Sequence, residues 1–186
     1  MKSFIAVGII LLSILMALSF CVASEKDTVN SPVYLLSEHN LSIGLDSKFR
    51  VTYAGFSPVT TGLFMNSFGI TGAGQKGMAD LEIVSVSNIT DAEKSLGSEV
   101  TMQLFSAGVI SAYGNEVLGN WTTSDARGQN VIVQTIPTNK SSSMYVFGKT
   151  TDYATWSLGD DIYAVLLSQF DKDVTEKIIR TLNISS

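Results

Sequence analysis

Paired acidic side chains are the residues of this chain whose types and spacing could do chemistry. Two carboxylates across a cleft can act as acid and base in glycoside hydrolysis, and several converging carboxyl oxygens can hold calcium. No EF-hand spacing is present, so we expect these acids to serve at strand ends and helix caps. A small carboxylate-based hydrolase acting on extracellular polymers is the alternative. The pairs are Asp80/Glu82, Asp160/Asp161 and Asp171/Asp173.

The scarcity of histidine and cysteine limits other chemistries. His39 is the only histidine and Cys21 the only cysteine. A Ser-His-Asp triad would have to use His39, and no Gly-x-Ser-x-Gly elbow accompanies it. Metal sites built from several His or Cys residues are excluded by count. We therefore expect a solvated surface histidine and predict no catalytic residue, no metal and no cofactor.

A glycine-rich segment matches the dinucleotide-binding pattern by its letters alone. It runs from Gly72 to Gly77 as Gly-Ala-Gly-Gln-Lys-Gly. The phosphate-binding mechanism needs a helix N-terminus directly after the glycines. Here the alternation after Met78 is that of a strand, so we predict a hairpin loop.

The first 24 residues have the layout of a secretory signal peptide. Lys2 precedes an apolar and small-residue run from Phe4 to Phe20, and the segment ends at Ser24. We predict cleavage after Ser24, export from the cell, and a polar spacer over 25–32. Lipidation of Cys21 is disfavoured because the residue before a lipidated cysteine is normally small, whereas here it is Phe20. Membrane contact is expected only if the leader is retained.

The acidic balance of the chain excludes classes of partner. The net charge is −5, and since Lys2 is the only charged residue of the leader, cleavage changes it to −6. Such a surface repels phosphate backbones, which argues against nucleic acid. It argues equally against attachment to anionic membranes through basic patches.

The sequence also holds acceptor sites for N-linked glycans. Five Asn-x-Ser/Thr sequons follow the leader, and an occupied sequon asparagine must face solvent. We predict a glycoprotein if the host glycosylates its exported chains. The sequons are at Asn40, Asn88, Asn120, Asn139 and Asn183.

In the first part of the chain, hydrophobic periodicity and turn residues predict four strands followed by a long helix. Thr90 and Glu93 form a capping box at the start of a helix over Asp91–Tyr113, and Gly114 stops it. The Gly- and Pro-containing stretch Ala54–Pro58 is expected to end the second strand. The predicted strands are Val33–Leu36, Phe49–Tyr53, Leu63–Ile70 and Ala79–Ser87.

The second half of the chain predicts further strands and a closing helix. Asp173 is the expected N-cap of that helix, and Val174, Ile178 and Leu182 lie on its apolar face. The predicted strands are Gly119–Thr123, Asn130–Ile136, Asp161–Gln169, and an irregular one over Met144–Gly148 and Tyr153–Leu158. This order predicts an α+β fold, with one long helix and a C-terminal helix packed on a mostly antiparallel sheet in an α/β/α-type sandwich.

The order of elements resembles the PsbP/Mog1-like α/β sandwich, and in particular small exported PsbP-related proteins of archaea. The length of the chain after the leader predicts one domain, over 33–186, and the resemblance covers roughly residues 40–184. Relatives with known roles are non-enzymatic: an accessory protein of the photosynthetic oxygen-evolving complex and a partner of a small GTPase. The segments that carry it are Phe49–Tyr53, Gly119–Thr123, Asn130–Thr135, Tyr163–Ser168 and Asp173–Leu182.

Five tyrosine and tryptophan side chains lie between residues 121 and 163. On a buried sheet face they would be core, and on an exposed face they could stack on sugars or bind a partner; we expect core. The residues are Trp121, Tyr145, Tyr153, Trp156 and Tyr163. Taken together, the sequence predicts an exported, non-enzymatic extracellular or cell-surface protein that binds an unidentified protein or carbohydrate.

Overall fold

The structure is a computed structural model of the chain. The segments it describes are residues 33–36, 39–60, 63–73, 77–86, 97–114, 116–140, 142–146, 148–159 and 161–185. The predicted signal peptide, the spacer, the capping box at Thr90 and Glu93, the sequon at Asn88 and Asp160 therefore lie outside the described residues.

A seven-stranded antiparallel sheet forms the centre of the molecule, in the order β3-β4-β5-β9-β8-β7-β6. This confirms the predicted α+β class and the mostly antiparallel sheet. The seven strands are β3 Phe49–Thr60, β4 Leu63–Gly72, β5 Met78–Ser85, β6 Gly119–Ser124, β7 Asn130–Pro137, β8 Thr150–Gly159 and β9 Ile162–Ser168.

The remaining elements are a small antiparallel sheet, two helices and one 3₁₀ turn. The small sheet has the order β1-β2-β10, and β10 aligns Ile184 with Leu41 of β2. Among the described residues, neither helix combines the length and the hydropathy needed to span a membrane. The bounds are β1 Val33–Leu36, β2 His39–Ser42, α1 Gly97–Ala112, the 3₁₀ turn Ser143–Val146, α2 Lys172–Thr181 and β10 Asn183–Ser185.

The large sheet separates two apolar cores, because α2 with the small sheet covers one face and α1 covers the other. On the α2 face, Leu81 and Leu166 pack with Ile178 and Ile179 of α2. On the α1 face, Val84 belongs to the cluster that contains the buried side chains of α1, which are Met102, Phe105 and Val109. This is the layered arrangement predicted for the domain.

Both predicted helices and the central last strand are present. α1 is described from Gly97 to Ala112, and a turn at Tyr113 and Gly114 follows it, with φ 104° at Gly114. β9 is fully buried at all but one position, as its continuous apolar run predicts. Of the five aromatics, Tyr153 and Trp156 are buried, whereas the rest are only half-buried.

The predicted break at Ala54–Pro58 is wrong, because β3 continues to Thr60. Its pairing with β4 shifts register between Tyr53 and Gly55 and again between Pro58 and Thr60. Such bulges accommodate an extra residue without ending a strand. Pro58 is tolerated because β3 is an edge strand, where a missing N–H need not interrupt the ladder.

Two further local predictions are corrected by side-chain and backbone hydrogen bonds. Part of the strand predicted over Met144–Gly148 is a 3₁₀ turn. The Ser142 hydroxyl accepts a hydrogen bond from the Met144 N–H, and the Ser142 carbonyl accepts one from the Tyr145 N–H, which turns the chain. Asp171, not Asp173, is the N-cap of α2; its carbonyl accepts from the N–H groups of Val174 and Thr175 at 3.0 Å. Asp173 instead sits in the first turn, where its charge complements the helix dipole.

The predicted hairpin at the glycine-rich segment is confirmed, since β4 ends at Gly72 and β5 begins at Met78 in antiparallel pairing. Gly77 has φ 131°, and a Cβ there would lie 2.5 Å from the carbonyl oxygen of Gln169. The Gln169 N–H in turn donates to the Met78 carbonyl at 2.9 Å. Glycine is therefore required by both conformation and space.

We predict that Gly77→Ala lowers the free energy of unfolding by more than about 1 kcal/mol, because the added methyl strains the backbone and pushes β9 away. Urea denaturation followed by circular dichroism measures this. Gly119→Ala is the matched control, since no heavy atom lies within 4 Å of its added Cβ. Equal stability of the two variants would contradict the packing described here.

Candidate functional site

A groove with a volume of about 610 Å³ lies between α1 and strands β7, β8 and β9. That volume is in the range of sites that hold small molecules. The helix contributes one wall and the sheet contributes the floor. The lining residues are Glu99, Met102, Gln103, Ser106, Ala107 and Ile110 from α1, and Gln134, Thr155, Trp156, Ser157 and Tyr163 from the sheet.

The helical and strand periods place the polar side chains of the groove. In α1, Met102 and Val109 are buried in the core, while Gln103 and Ala107 are exposed along one side. In the sheet, Ser157 of β8 pairs with Tyr163 of β9 across the ladder. A two-residue strand period therefore brings hydroxyl groups from neighbouring strands to the floor.

The groove offers uncharged hydrogen-bonding groups. Glu99 is the only charged residue among the described residues that line it. The Thr155 hydroxyl is buried and has no hydrogen-bond partner in the described part of the chain, whereas the Trp156 side chain belongs to the core on the α2 face. The Tyr163 hydroxyl donates to the Ser98 hydroxyl at 3.0 Å, which ties the floor to the first turn of α1. Such a lining can bind a neutral polar ligand.

A second feature lies beneath α1, where two carboxyl groups are buried within the sheet. Asp80 and Glu82 are each only 8% exposed. They alternate along β5 with Leu81, which packs on the α2 face, so both face α1. The Ser67 hydroxyl donates to Glu82 Oε2 at 2.8 Å.

Burial changes the titration of this acid pair. It raises the pKa of Asp80 to about 6. It raises the pKa of Glu82 to about 7, against the lowering effect of the Ser67 hydrogen bond, and the negative charge of Asp80 adds to the rise. The pKa of Tyr113 rises to about 12, through burial first and the charge of Asp80 second. Both carboxyl groups therefore titrate near neutral pH.

The other acidic candidates do not join either feature. Asp161 is exposed in the turn between β8 and β9, with φ 59°. Asp171 caps α2, and Asp173 is exposed in its first turn. His39 lies in β2, with its side chain outside the described residues. Within the described segments, no three His, Cys, Asp or Glu side chains come together as a metal site.

The strand-end role predicted for Asp80 and Glu82 is wrong, because both lie inside β5, the third strand of the seven. The groove itself was not predicted. Polar residues at alternating strand positions, such as Gln134 and Thr155, are typical of a solvent-facing surface. Only the placement of α1 over them encloses a groove.

The sequons that the structure describes differ in exposure. The side chains of Asn120 in β6 and Asn183 in β10 are exposed. Asn139 is half-buried, and its Nδ2 donates to the Ala112 carbonyl at 3.4 Å. Asn40 lies in β2, with its side chain outside the described residues.

Comparisons with known proteins identify no relative of this chain. No protein-family model, no curated protein and no solved structure matches it. A function must therefore be inferred from the groove and the acid pair themselves.

We predict that Glu82→Gln raises the free energy of unfolding at pH 8, by on the order of 3 kcal/mol, and leaves it nearly unchanged at pH 4. Because the folded pKa is raised above the unfolded one, the folded state binds more protons between about pH 4.5 and 7. The stability of the wild type should therefore fall as pH rises through that window. Glutamine carries no such charge and can still accept from Ser67.

Urea denaturation at both pH values measures this effect, and Glu99→Gln is the matched control. Glu99 makes the same change of charge at an exposed position of α1. A stability of the Glu82→Gln variant that matches wild type at pH 8 would refute the raised pKa.

Proposed function

We propose that this chain is an exported, non-enzymatic protein of the cell surface or extracellular space that binds a carbohydrate in the groove beside α1. The single observation that carries the proposal is the composition of the groove, which combines hydroxyl and amide groups with aromatic and apolar side chains and has one charged residue among its described lining. The leader sequence supports the extracellular location.

The chemistry of a sugar matches this lining. Sugar hydroxyl groups both donate and accept hydrogen bonds, as the side chains of Ser106, Gln134 and Ser157 can. Apolar contact with the ring carbons is available from Met102 in the wall. A strongly charged ligand would find no matching set of charges among these residues.

The alternative, a carboxylate-based hydrolase, has less support. Hydrolysis by the usual mechanism requires two carboxyl groups that flank the scissile bond. Among the described residues that line the groove, Glu99 is the only one with a carboxyl group. Asp80 and Glu82 have the raised pKa of acid catalysts, but they are neighbours on one strand and do not line the groove. Binding without catalysis is therefore the favoured proposal.

We further propose membership of the PsbP/Mog1-like group. What supports it is an antiparallel sheet with a helix on each face, in which the chain passes from β9 directly to a closing helix, α2. The characterised members of that group have non-enzymatic roles, which agrees with binding as the activity.

We predict that Ala107→Trp abolishes carbohydrate binding, because Ala107 is exposed on the groove wall and an indole there would fill the space. Ser111→Trp is the matched control: Ser111 is exposed on the same helix but does not line the groove. A glycan array probed with the purified protein and both variants measures the effect. The proposal would be refuted if the wild-type protein bound no glycan, or if the Ala107→Trp variant bound with the same strength as wild type. Release of reducing ends from a glycan would favour the hydrolase.

We predict that protein purified from a glycosylating host begins at Glu25 and carries glycans at Asn120 and Asn183, with lower occupancy at Asn139. The glycan is attached to Nδ2; the Asn139 side chain is half-buried, and its Nδ2 donates to the Ala112 carbonyl. Peptide mass spectrometry reports the N-terminus and each site. An intact leader together with unmodified asparagines would contradict the extracellular location.

A further inference from the structure

The acid pair is placed so that α1 covers it. Asp80 and Glu82 face the helix from the middle of β5, flanked by β4 and β9. These two neighbours are fixed by continuous ladder hydrogen bonds. In the described part of the chain, no strand ladder holds α1. It is held by the buried side chains of Met102, Phe105 and Val109 and by two side-chain hydrogen bonds, from Tyr163 to Ser98 and from Asn139 to Ala112. The helix is therefore the part of the surroundings that can move most easily.

The neighbours of the pair offer hydroxyl groups but no compensating charge. β4 contributes Ser67 and the side-chain-free Gly69, which lie opposite Glu82 and Asp80. From β9, Tyr163 lies on the same face. In the described part of the chain, no lysine, arginine or histidine forms an ion pair with either carboxyl group.

Further titratable groups approach from the other elements on this face. β8 contributes Tyr153, whose hydroxyl has no hydrogen-bond partner among the described residues and whose pKa is raised by burial. Glu99, at the start of α1, is exposed. A second negative charge on this face therefore meets no positive charge in the described surroundings.

Tyr113, directly after α1, is a second polar group on this face that is buried without a hydrogen-bond partner among the described residues. Only 8% of it is exposed, and its hydroxyl has no hydrogen-bond partner within the described residues. It is close enough to Asp80 for the charge of Asp80 to raise its pKa, and Ser142 is nearby without completing a hydrogen bond. A buried hydroxyl without a partner costs free energy that hydration would recover.

We propose that α1 is a pH-sensitive wall of the groove: it packs on the sheet while Asp80 and Glu82 are protonated and lifts when they ionise. Two buried like charges are costly in a site with little water, and lifting the helix lets water reach both. Met102 lines the groove and also belongs to the core under α1, so the same movement alters the groove. The assignment of a ligand rests on the proposed function, whereas the helix movement does not.

A cysteine introduced at a buried position of α1 tests the movement directly. In the full chain with Cys21→Ser, the introduced thiol is the only one. Val109→Cys places it on the buried side of α1, and Ser111→Cys places it on the exposed side of the same helix. Ile179→Cys places it in the buried face of α2, which reports global unfolding. Modification rates with an uncharged maleimide are measured at pH 5.5 and 8, and the Ser111→Cys rate corrects for thiol ionisation.

We expect the ratio of the Val109→Cys rate to the Ser111→Cys rate to rise about tenfold or more between the two pH values, since a shift of one pKa unit is a tenfold change in an equilibrium. The Ile179→Cys ratio should stay constant. In the Asp80→Asn/Glu82→Gln background the rise should vanish, and Glu82→Gln alone should reduce it if the double variant fails to fold.

Three results would overturn the proposal: a constant Val109→Cys ratio, a rise that persists in the neutralised background, or an equal rise at Ile179→Cys. The experiment contains no ligand, so its outcome is separate from that of the glycan array. Repeating the glycan array at both pH values tests whether the helix movement affects binding. We expect weaker binding at pH 8 than at pH 5.5 for the wild type, but not for the Asp80→Asn/Glu82→Gln variant.

Discussion

The pairing of β5 with β9 is the contact on which the rest of the structure depends. Seven residue pairs join the two strands, from Ala79 with Ser168 to Ser85 with Ile162. They connect a three-strand meander from early in the chain to a four-strand meander from late in it. Because the partners are far apart in sequence, this pairing must close a long loop before either core can form. Both helices pack against the sheet that results.

The helices that cover the two faces of this sheet differ in the polar contacts that hold them in place. On one face, α2 is tied to the β2–β3 connection by polar contacts: Lys177 donates to Asp46 at 2.7 Å, and the Gly44 N–H donates to Thr181 at 3.0 Å. On the other face, the hydrogen bond from Tyr163 to Ser98 joins α1 to the sheet, and a longer one, at 3.4 Å, joins Asn139 to the last residue of α1, Ala112. Local stability in a protein is uneven, and segments that move are drawn from its less stable parts. The groove and the acid pair both lie on the face that α1 covers, where fewer polar contacts hold the helix.

The sequence could predict what depends on local pattern. The apolar stripe before Gly114 predicted α1, and the run from Ile162 to Leu167 predicted a central strand; both are present. The continuation of β3 through Pro58 could not be predicted, because it depends on β3 being an edge strand, which is a property of the whole sheet. The 3₁₀ turn at Ser143–Val146, in place of part of a predicted strand, was missed for a different reason: it rests on local hydrogen bonds to Ser142, which an apolar pattern does not reveal.

The candidate site was less predictable than the fold for a related reason. Asp80 and Glu82 stood out as a pair, but their burial depends on α1 and on β9, and β9 follows much later in the chain. The groove residues did not stand out at all, since a threonine such as Thr155 on an alternating strand is unremarkable until another element covers it. The spacing of residues along a strand predicts which side chains share a face. Whether that face is open or covered depends on how separate segments of the chain pack together.

The two edges of the large sheet bear on how the protein avoids aggregation. An open edge strand can pair with the edge of another molecule and start a growing aggregate. At one edge, Pro58 and the two register shifts of β3 make the strand a poor template. The other edge, β6, is short and regular and carries the exposed sequon Asn120. A glycan there would obstruct strand addition, so loss of that sugar would matter for solubility at high concentration even if the groove were unaffected.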